Sequence, residues 1–251
     1  MSDNSHSFAA LKSRRLLTAT KPFNARGKLQ TRCESCSLAT YLCACQWRLR
    51  LPLDFDFVVL LHRNEILKPT NTGRLISDLF YDNTVCFEWS RTEPDPQLLQ
   101  LLQDPTRHVM ILYPEEQNND RTVFTDLTLV RQQYSDKRLT IVVLDGTWKQ
   151  ARRMMTLSHW LKCVPVLSLQ LNQLGQYGLR KPLIEGQLAT AEAAACVACE
   201  AGQVEQGQAL SDMFAVFTQH YLAARACKQP EIGEPHHRLG VMKQLIAQTK
   251  R

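Results

Sequence analysis

The sequence predicts an α/β protein with a mostly parallel sheet, flanking helices, a helical C-terminal part and a small cysteine knuckle near the N-terminus. From residue 55 onwards, short apolar and β-branched runs alternate with helical segments, which is the pattern of βα units. A length of 251 residues suits one main domain with a small appendage. We therefore divide the chain into a basic, flexible arm over residues 1–30, the knuckle over residues 31–50 and the main domain over residues 51–251.

Strands and helices follow one another along the main domain. Apolar runs predict five strands, at residues 57–61, 85–89, 108–112, 139–144 and 164–169. Helical patterns predict helices at residues 73–80, 96–103, 147–159, 188–200, 204–225 and 239–249. The segment 114–138 is polar and poorly periodic, and we interpret it as a surface excursion with one short strand at residues 127–130.

The net charge of +6 lies entirely within residues 1–32, which are the N-terminal arm and the first two residues of the knuckle. Residues 1–32 contain seven basic residues and one acidic residue, whereas the remaining 219 residues contain 23 of each. Such a local excess indicates a polyanionic partner for the arm rather than a generally basic protein.

No apolar run approaches the about 18 to 20 residues of a membrane span, so we expect a soluble protein without a membrane partner. The arm lacks the continuous apolar core of a secretory signal, and a polar opening with Asp3 is a poor start for a transit peptide. Nine cysteines are an odd number, which argues against a secreted disulfide framework. We therefore expect a cytoplasmic protein.

Four of the cysteines have the spacing of a metal site. Cys33 and Cys36 form a Cys-x2-Cys pair, and Cys43 and Cys45 form a Cys-x-Cys pair seven residues further on. Two such pairs can place four thiolates around one tetrahedral ion, and Zn²⁺ is the favoured occupant. An iron–sulfur cluster and a metal-free knuckle are the alternatives. The pair 196–199 lies in a helical stretch, where we expect the cysteines to pack in the core.

Ligands of open α/β sheets bind at the carboxyl ends of the strands, and three predicted loops meet there, at residues 62–73, 113–114 and 145–148. The sequence has neither a Gly-x-Gly-x-x-Gly motif nor a Walker motif, which disfavours dinucleotide and NTP phosphate sites. Asp145 follows a buried strand, where it can cap the next helix or accept a proton. Trp148 can pack in the core or stack on a base.

The residues Leu144-Asp-Gly-Thr-Trp148 resemble the signature of the DTW-domain family, tRNA-uridine aminocarboxypropyltransferases related to the SPOUT RNA-modifying enzymes. Further motifs that recur in the same order strengthen this resemblance, which covers residues 31–225. Ala189 departs from the family, which often has serine there. The other motifs are the cysteine knuckle, His62-x-x-Glu65, Asn71-Thr72-Gly73, Leu112-Tyr113-Pro114 and Leu188-Ala-Thr-Ala-Glu-Ala193.

The resemblance implies a SPOUT-like sheet and transfer of the 3-amino-3-carboxypropyl group of S-adenosylmethionine to N3 of a uridine in tRNA, releasing methylthioadenosine. Asp145 would accept or guide the N3 proton, and Thr147 and Trp148 would complete the catalytic set. Glu192 can instead be a first-turn acid favoured by the helix dipole. The implied cofactor-binding residues are Asn71, Thr72, Gly73, Leu112, Tyr113, Pro114, Leu144, Gly146, Thr190 and Glu192.

The predicted RNA contacts come from the arm and from the helix after Asp145, although the latter can also be a solvated face. His62 and Glu65 can fix a loop or take part in catalysis, and His236 and His237 are expected at the surface. The rival functions are a SPOUT-like RNA methyltransferase and a non-catalytic, zinc-dependent RNA-binding module. We expect tRNA rather than DNA as the partner, and a monomer or homodimer. The RNA-contact residues are Arg14, Arg15, Arg26, Lys28, Arg32, Lys149, Arg152 and Arg153.

Overall fold

A six-stranded, all-parallel sheet forms the centre of the part of the chain that the computed structural model describes, residues 4–19, 30–114, 121–169 and 188–249. The strand order is β2-β1-β5-β3-β6-β4. This confirms the predicted mostly parallel sheet, and β4 is a short addition to the five predicted strands. The strands are β1 (Asp56–Leu61), β2 (Thr84–Glu88), β3 (Arg107–Leu112), β4 (Val123–Phe124), β5 (Arg138–Asp145) and β6 (Val166–Leu167).

The register of the sheet brings three strand ends together. Leu61 at the end of β1 pairs with Asp145 at the end of β5, and Leu112 at the end of β3 pairs with Val143. Because all three strands are parallel, the loops that follow them leave the same edge of the sheet. The three loops predicted to share one neighbourhood are therefore adjacent.

Helices cover both faces of the sheet. None of them, within the described residues, combines the length and the apolar character that crossing a bilayer requires. Their bounds are α1 (Phe8–Leu17), α2 (Gly73–Leu79), α3 (Pro96–Gln103), α4 (Leu127–Gln133), α5 (Trp148–Leu157), α6 (Thr190–Glu200), α7 (Val204–Ala226) and α8 (Glu234–Thr249).

Two hydrophobic cores lie on opposite faces of the sheet. Val59 and Ile141 belong to the larger core with α1, α2, α6 and α7, whereas Val58 and Val142 belong to the smaller core with α3 and α5. Successive residues of a strand point to opposite faces, and covering both faces explains why the strands read as continuous apolar runs. Cys196 and Cys199 are buried in α6, which confirms the expected core packing.

The predicted strand at residues 127–130 is wrong, because this segment is the first part of α4. The side chain of Asp126 accepts hydrogen bonds from the backbone N–H groups of Thr128 and Leu129, at 2.8 and 3.1 Å. An aspartate in this position caps a helix and satisfies donors that the first turn leaves free. Leu127 and Val130, three residues apart, then bury one face of the helix.

The described part of the basic arm is a packed helix, so the prediction of a flexible arm does not hold for Phe8–Leu17. Ser7 caps α1 by accepting a hydrogen bond from the N–H of Ala10 at 3.2 Å. Phe8 and Leu11 are buried in the larger core. Arg26 and Lys28 lie outside the described residues.

The surface position predicted for His236 is also wrong, because its side chain is fully buried. Its Nε2 lies 3.2 Å from Nε2 of His220, and Nδ1 of His220 lies 2.9 Å from the carbonyl oxygen of Leu42. The N–H of Gly233 donates to Nδ1 of His236, so this ring donates from Nε2 to His220. The relay connects α7 and α8 to the knuckle, while His237 is exposed as expected.

Truncating the buried face of α1 tests whether this helix contributes to the fold. We expect Leu11→Ala to lower the free energy of unfolding by about 2 to 4 kcal/mol, because it leaves a cavity in the larger core. Leu17→Ala, at a position 88% exposed on the same helix, serves as the control and should change it by less than about 0.5 kcal/mol. Chemical denaturation measures both, and equal values for the two variants would contradict the docked helix.

Candidate functional site

The side chain of Asp145 is held by residues from two other segments at the carboxyl edge of the sheet. Its Oδ1 accepts a hydrogen bond from Oγ1 of Thr190 at 2.7 Å, and its Oδ2 accepts one from Nδ2 of Asn71. The backbone N–H of Gly73 donates a further hydrogen bond to this carboxylate. The side chain is only 3% exposed, so β5, the loop after β1 and the first turn of α6 are joined at one buried group.

Gly73 allows α2 to approach this carboxylate. A Cβ atom on Gly73 would lie 2.7 Å from Cγ and 2.8 Å from Oδ1 of Asp145, closer than van der Waals contact permits. Only a residue without a side chain can therefore begin α2 here.

Burial raises the pKa of Asp145 from its ordinary value of 3.8 to about 6, although the hydrogen bonds from Thr190, Asn71 and Gly73 act in the opposite direction. The negative charge of Glu65 adds to the increase. Glu65 is itself buried, with Oε1 2.7 Å from Nζ of Lys68. A carboxyl group with this pKa can hold or release a proton close to neutral pH, which suits it to acid–base chemistry.

The loop after Asp145 leads into α5 through a capping box. Oγ1 of Thr147 accepts a hydrogen bond from the N–H of Gln150, and Oε1 of Gln150 accepts one from the N–H of Thr147 at 2.7 Å. A Cβ on Gly146 would lie 3.0 Å from Cβ of Gln150 and 3.5 Å from Cβ of His62, so glycine again permits close approach. Trp148 is 38% exposed, so part of its side chain is accessible to solvent rather than packed in the core.

The three basic residues of α5 are exposed next to this edge. Arg152 donates a hydrogen bond to the phenolic oxygen of Tyr113. Burial lowers the pKa of His62, and the positive charge of the nearby Arg153 acts in the same direction. The helix therefore presents positive charge beside two of the three loops. The third basic residue is Lys149.

The predicted cofactor-binding residues divide between the two faces of the sheet. Asn71, Gly73 and Thr190 surround Asp145 on the face that α2 and α6 cover. Tyr113 and Leu144 belong to the smaller core on the opposite face. The remaining predicted residues of this group lie at the same edge: Thr72 before α2, Leu112 and Pro114 at the end of β3, Gly146 before α5 and Glu192 in the first turn of α6.

Glu192 fits the alternative interpretation as a helix-capping acid. Its Oε2 accepts a hydrogen bond from the N–H of Ala189 at 2.8 Å, immediately before α6 begins. Burial raises the pKa of Glu192. Because Ala189 has no hydroxyl group, the reciprocal half of a capping box is missing where the resembling family often has serine.

The four cysteines of the knuckle come together as predicted. Sγ of Cys33 lies 3.7 Å from Sγ of Cys45, Sγ of Cys36 lies 3.7 Å from Sγ of Cys43, and all four sulfur atoms lie within 4.8 Å of one another. Four sulfurs at about 2.3 Å from a tetrahedral Zn²⁺ are about 3.8 Å apart. The donor set therefore fits one such ion, whereas an iron–sulfur cluster, with its own atoms between the thiolates, requires wider spacing.

Basic side chains hold the backbone of the knuckle from outside. Nζ of Lys12 donates to the carbonyl oxygen of Glu34 and to Oγ of Ser37, both at 2.9 Å. Nη1 of Arg32 donates to the carbonyl oxygen of Ser37 at 3.0 Å. Arg32 therefore contributes to the knuckle itself, and Lys12 attaches α1 to it.

Sequence reasoning missed Arg74, which is 2% exposed although it carries a charge. The only signal in the sequence is its position between Gly73 and the apolar pair Leu75-Ile76. Charged residues are rarely buried without a partner, so such a position indicates a specific role.

The family model described as DTW domain matches residues 30–222 of the chain. The match includes the cysteine knuckle, Asp145 and the residues that hold it, and it ends inside α7. No solved structure matches the chain.

Adding one methyl group at Gly73 tests the close approach to Asp145. We expect Gly73→Ala to lower the free energy of unfolding by about 1 to 3 kcal/mol, because the new Cβ displaces the carboxylate or α2. Gly240→Ala in α8 is the matched control, since its Cβ would meet only the ring of Trp47 at 3.7 Å. That control should be neutral or stabilising by up to about 1 kcal/mol. Denaturation curves that show no difference between the variants would refute the steric argument.

Proposed function

Because the chain belongs to the DTW domain family, we propose that it modifies tRNA by transferring the 3-amino-3-carboxypropyl group from S-adenosylmethionine to N3 of a uridine, with release of methylthioadenosine. The observation that carries the proposal is the buried Asp145 carboxylate at the carboxyl edge of β5, oriented by Asn71, Gly73 and Thr190. This is the edge at which open α/β sheets bind their ligands.

The proposed reaction exchanges one bond for another. A bond forms between uridine N3 and the carbon of the aminocarboxypropyl group that is attached to the sulfonium sulfur. The carbon–sulfur bond breaks, its electron pair stays on sulfur, and a neutral thioether leaves. N3 loses its proton, so the protein must provide an acceptor for a proton and hold the two reactants in line.

We assign the proton acceptor to Asp145. Its raised pKa makes the carboxylate a stronger base than an exposed aspartate while leaving it ionised near neutral pH. Because the carboxylate is almost fully buried, the half-buried hydroxyl of Thr190, 2.7 Å away, is suited to connect it with the base. Thr190 would accept the N3 proton as it passes its own proton to Asp145.

The other residues of the edge would position the reactants. Trp148 offers an exposed ring on which a uracil can stack. The capping box of Thr147 and Gln150 fixes the start of α5, and thereby the place of Trp148. We propose that S-adenosylmethionine lies across the edge, with the residues around Asp145 on one side and Leu112, Tyr113, Pro114 and Leu144 on the other.

We propose that tRNA lies along α5. Lys149, Arg152 and Arg153 are exposed beside the candidate site, so phosphates bound there would bring a nucleotide close to Trp148. Arg14 and Arg15 lie on α1, the helix that Lys12 attaches to the knuckle, and would contact a more distant part of the RNA. The knuckle itself would be structural, because closed sites of four cysteines leave no open position on the metal.

Nucleoside analysis by mass spectrometry tests the reaction and the role of Asp145 together. We expect the purified protein, with S-adenosylmethionine and tRNA from cells that lack it, to form an aminocarboxypropyl-uridine and an equal amount of methylthioadenosine. The rate should fall as the pH decreases through about 6, because the Asp145 carboxylate becomes protonated there. Asp145→Asn should lower the rate at least about 100-fold, since an amide cannot accept the proton.

Asp126→Asn is the control for this experiment, because Asp126 also accepts backbone hydrogen bonds but lies at the exposed start of α4. It should keep the wild-type rate. A product with one added methyl group and S-adenosylhomocysteine would instead establish the methyltransferase. Unmodified tRNA that is nevertheless bound would establish the non-catalytic module.

The salt dependence of tRNA binding tests the proposed RNA surface. Replacing Arg152 and Arg153 with glutamine removes two cations and should reduce the slope of log affinity against log salt by about 1 to 2 units. Arg225 and Lys228, exposed near the end of α7, provide a control pair with the same change in charge. Identical slopes for the two double variants would place the RNA elsewhere on the protein.

A further inference from the structure

Arg74 has buried hydrogen-bond donors that no described residue satisfies. Its Nε and Nη2 atoms are inaccessible to solvent and have no hydrogen-bond partner among the described residues. The guanidinium packs over the ring of Phe217, with 4.8 Å between the guanidinium carbon and the ring centroid. A buried cation is strongly unfavourable unless a negative charge and hydrogen-bond acceptors compensate it.

The nearest carboxylate along the helix is already engaged by another arginine. Asp78 lies one turn after Arg74 in α2, but its Oδ2 lies 2.9 Å from Nη2 of Arg48, an ion pair without hydrogen-bond geometry. Within the described residues, no carboxylate oxygen comes within 4.0 Å of the Arg74 guanidinium. Asp78 therefore acts on Arg74 at a distance and does not satisfy its donors.

Arg74 lines a small buried cavity together with residues of the cysteine knuckle. The cavity has a volume of about 20 Å³, and Arg74, Cys36, Trp47 and Phe217 contribute to its lining. Burial lowers the pKa of Arg74, the charge of Asp78 raises it and the charge of Arg48 lowers it again.

We propose that Arg74 is the internal counter-ion of the four-cysteine metal centre. Zn²⁺ bound by four thiolates leaves a net charge of −2 at the knuckle, which is the compensating charge that the guanidinium lacks. The guanidinium would compensate this charge across the small cavity that Arg74 and Cys36 both line. Lys12 and Arg48 also carry positive charge beside the knuckle, but their hydrogen bonds go to Glu34, Ser35 and Ser37, whereas Arg74 is the fully buried cation next to Cys36.

This assignment links the metal centre to Asp145 through the first turn of α2. The backbone N–H of Arg74 donates to Oδ1 of Asn71 at 3.0 Å, and Nδ2 of the same Asn71 donates to Asp145. The side chain of Arg74 thus stabilises the metal centre, and its backbone holds Asn71, which orients Asp145. The inference concerns zinc and stability, and it stands whether or not the proposed transfer reaction is correct.

Zinc affinity and thermal stability of the full-length protein test the counter-ion. We expect Arg74→Met to weaken zinc binding by about 10-fold or more in competition with a chromophoric chelator, as is typical when an outer partner of a metal ligand is lost. It should lower the Tm of the zinc-loaded protein. The Tm of the zinc-free protein should stay unchanged or rise, because a buried cation without a counter-charge has been removed.

Arg107→Met is the matched control, because Arg107 is also largely buried but pairs with Asp56, with Nη1 2.6 Å from Oδ2, away from the knuckle. It should lower the Tm of both forms equally and leave zinc affinity unchanged. Arg74→Lys keeps the charge and should recover most of the zinc affinity. If Arg74→Met fails to fold, Arg74→Gln, a polar neutral replacement, is judged by the same affinity criterion.

Any of four results would overturn the proposal. One is zinc affinity within about twofold of wild type in the neutral Arg74 variants, as expected if a single water fills the cavity and satisfies the guanidinium. Another is an equal loss of Tm with and without zinc, which would make Asp78 the effective partner. The third is a wild-type protein that takes up no zinc, and the fourth is an Arg74→Lys variant as weak as the neutral ones.

Discussion

The burial of the Asp145 carboxylate is the constraint on which the arrangement of the candidate site depends. Three donors from α2, α6 and the loop between β1 and α2 converge on it, so each of these segments is placed relative to the sheet by the same group.

The folded protein binds the Asp145 proton more tightly than the unfolded chain, in which the pKa of this carboxyl group is near 3.8. The stability that this group contributes is therefore complete below about pH 3.8 and is lost as the pH rises through about 6. Holding an ionised carboxylate here costs stability at neutral pH, which is typical of a group kept for its chemistry.

The short helix α2 connects this carboxylate with the rest of the molecule. Its first residue touches Asp145, its second residue faces the knuckle, and its later residues pack in the larger core. The knuckle is in turn held by Lys12 from α1 and by the buried histidine relay from α7 and α8. Segments from both ends of the described chain therefore hold the knuckle, and the backbone of Arg74 contacts Asn71, which in turn holds Asp145.

Much of the fold and of the site was predictable because its signals are local. Continuous apolar runs predicted β1 and β5, and the spacing of Cys33, Cys36, Cys43 and Cys45 predicted a four-sulfur cluster. The prediction at residues 127–130 failed because one capping aspartate outweighed the pattern of the segment. The sequence did not predict the burial of His236, because that depends on its contact with His220. It did not predict the docking of the helix around Leu11 either, because that depends on the core beneath α1. No local pattern carries that information.

The sequence by itself determined which chemistry is present: four closely spaced thiols, an aspartate at the end of a buried strand, a basic helix after it and motifs in the order of the DTW domain family. Only the tertiary structure decided what surrounds these groups. Asn71 and Thr190 are 74 and 45 residues from Asp145 along the chain, and Arg74 meets the knuckle from a separate helix. The burial of a charge, and hence its pKa and its need for a partner, is set by whatever the fold packs around it. Spacing along the sequence therefore identifies the reactive groups, whereas their protonation and their pairing follow from contacts that exist only in the folded chain.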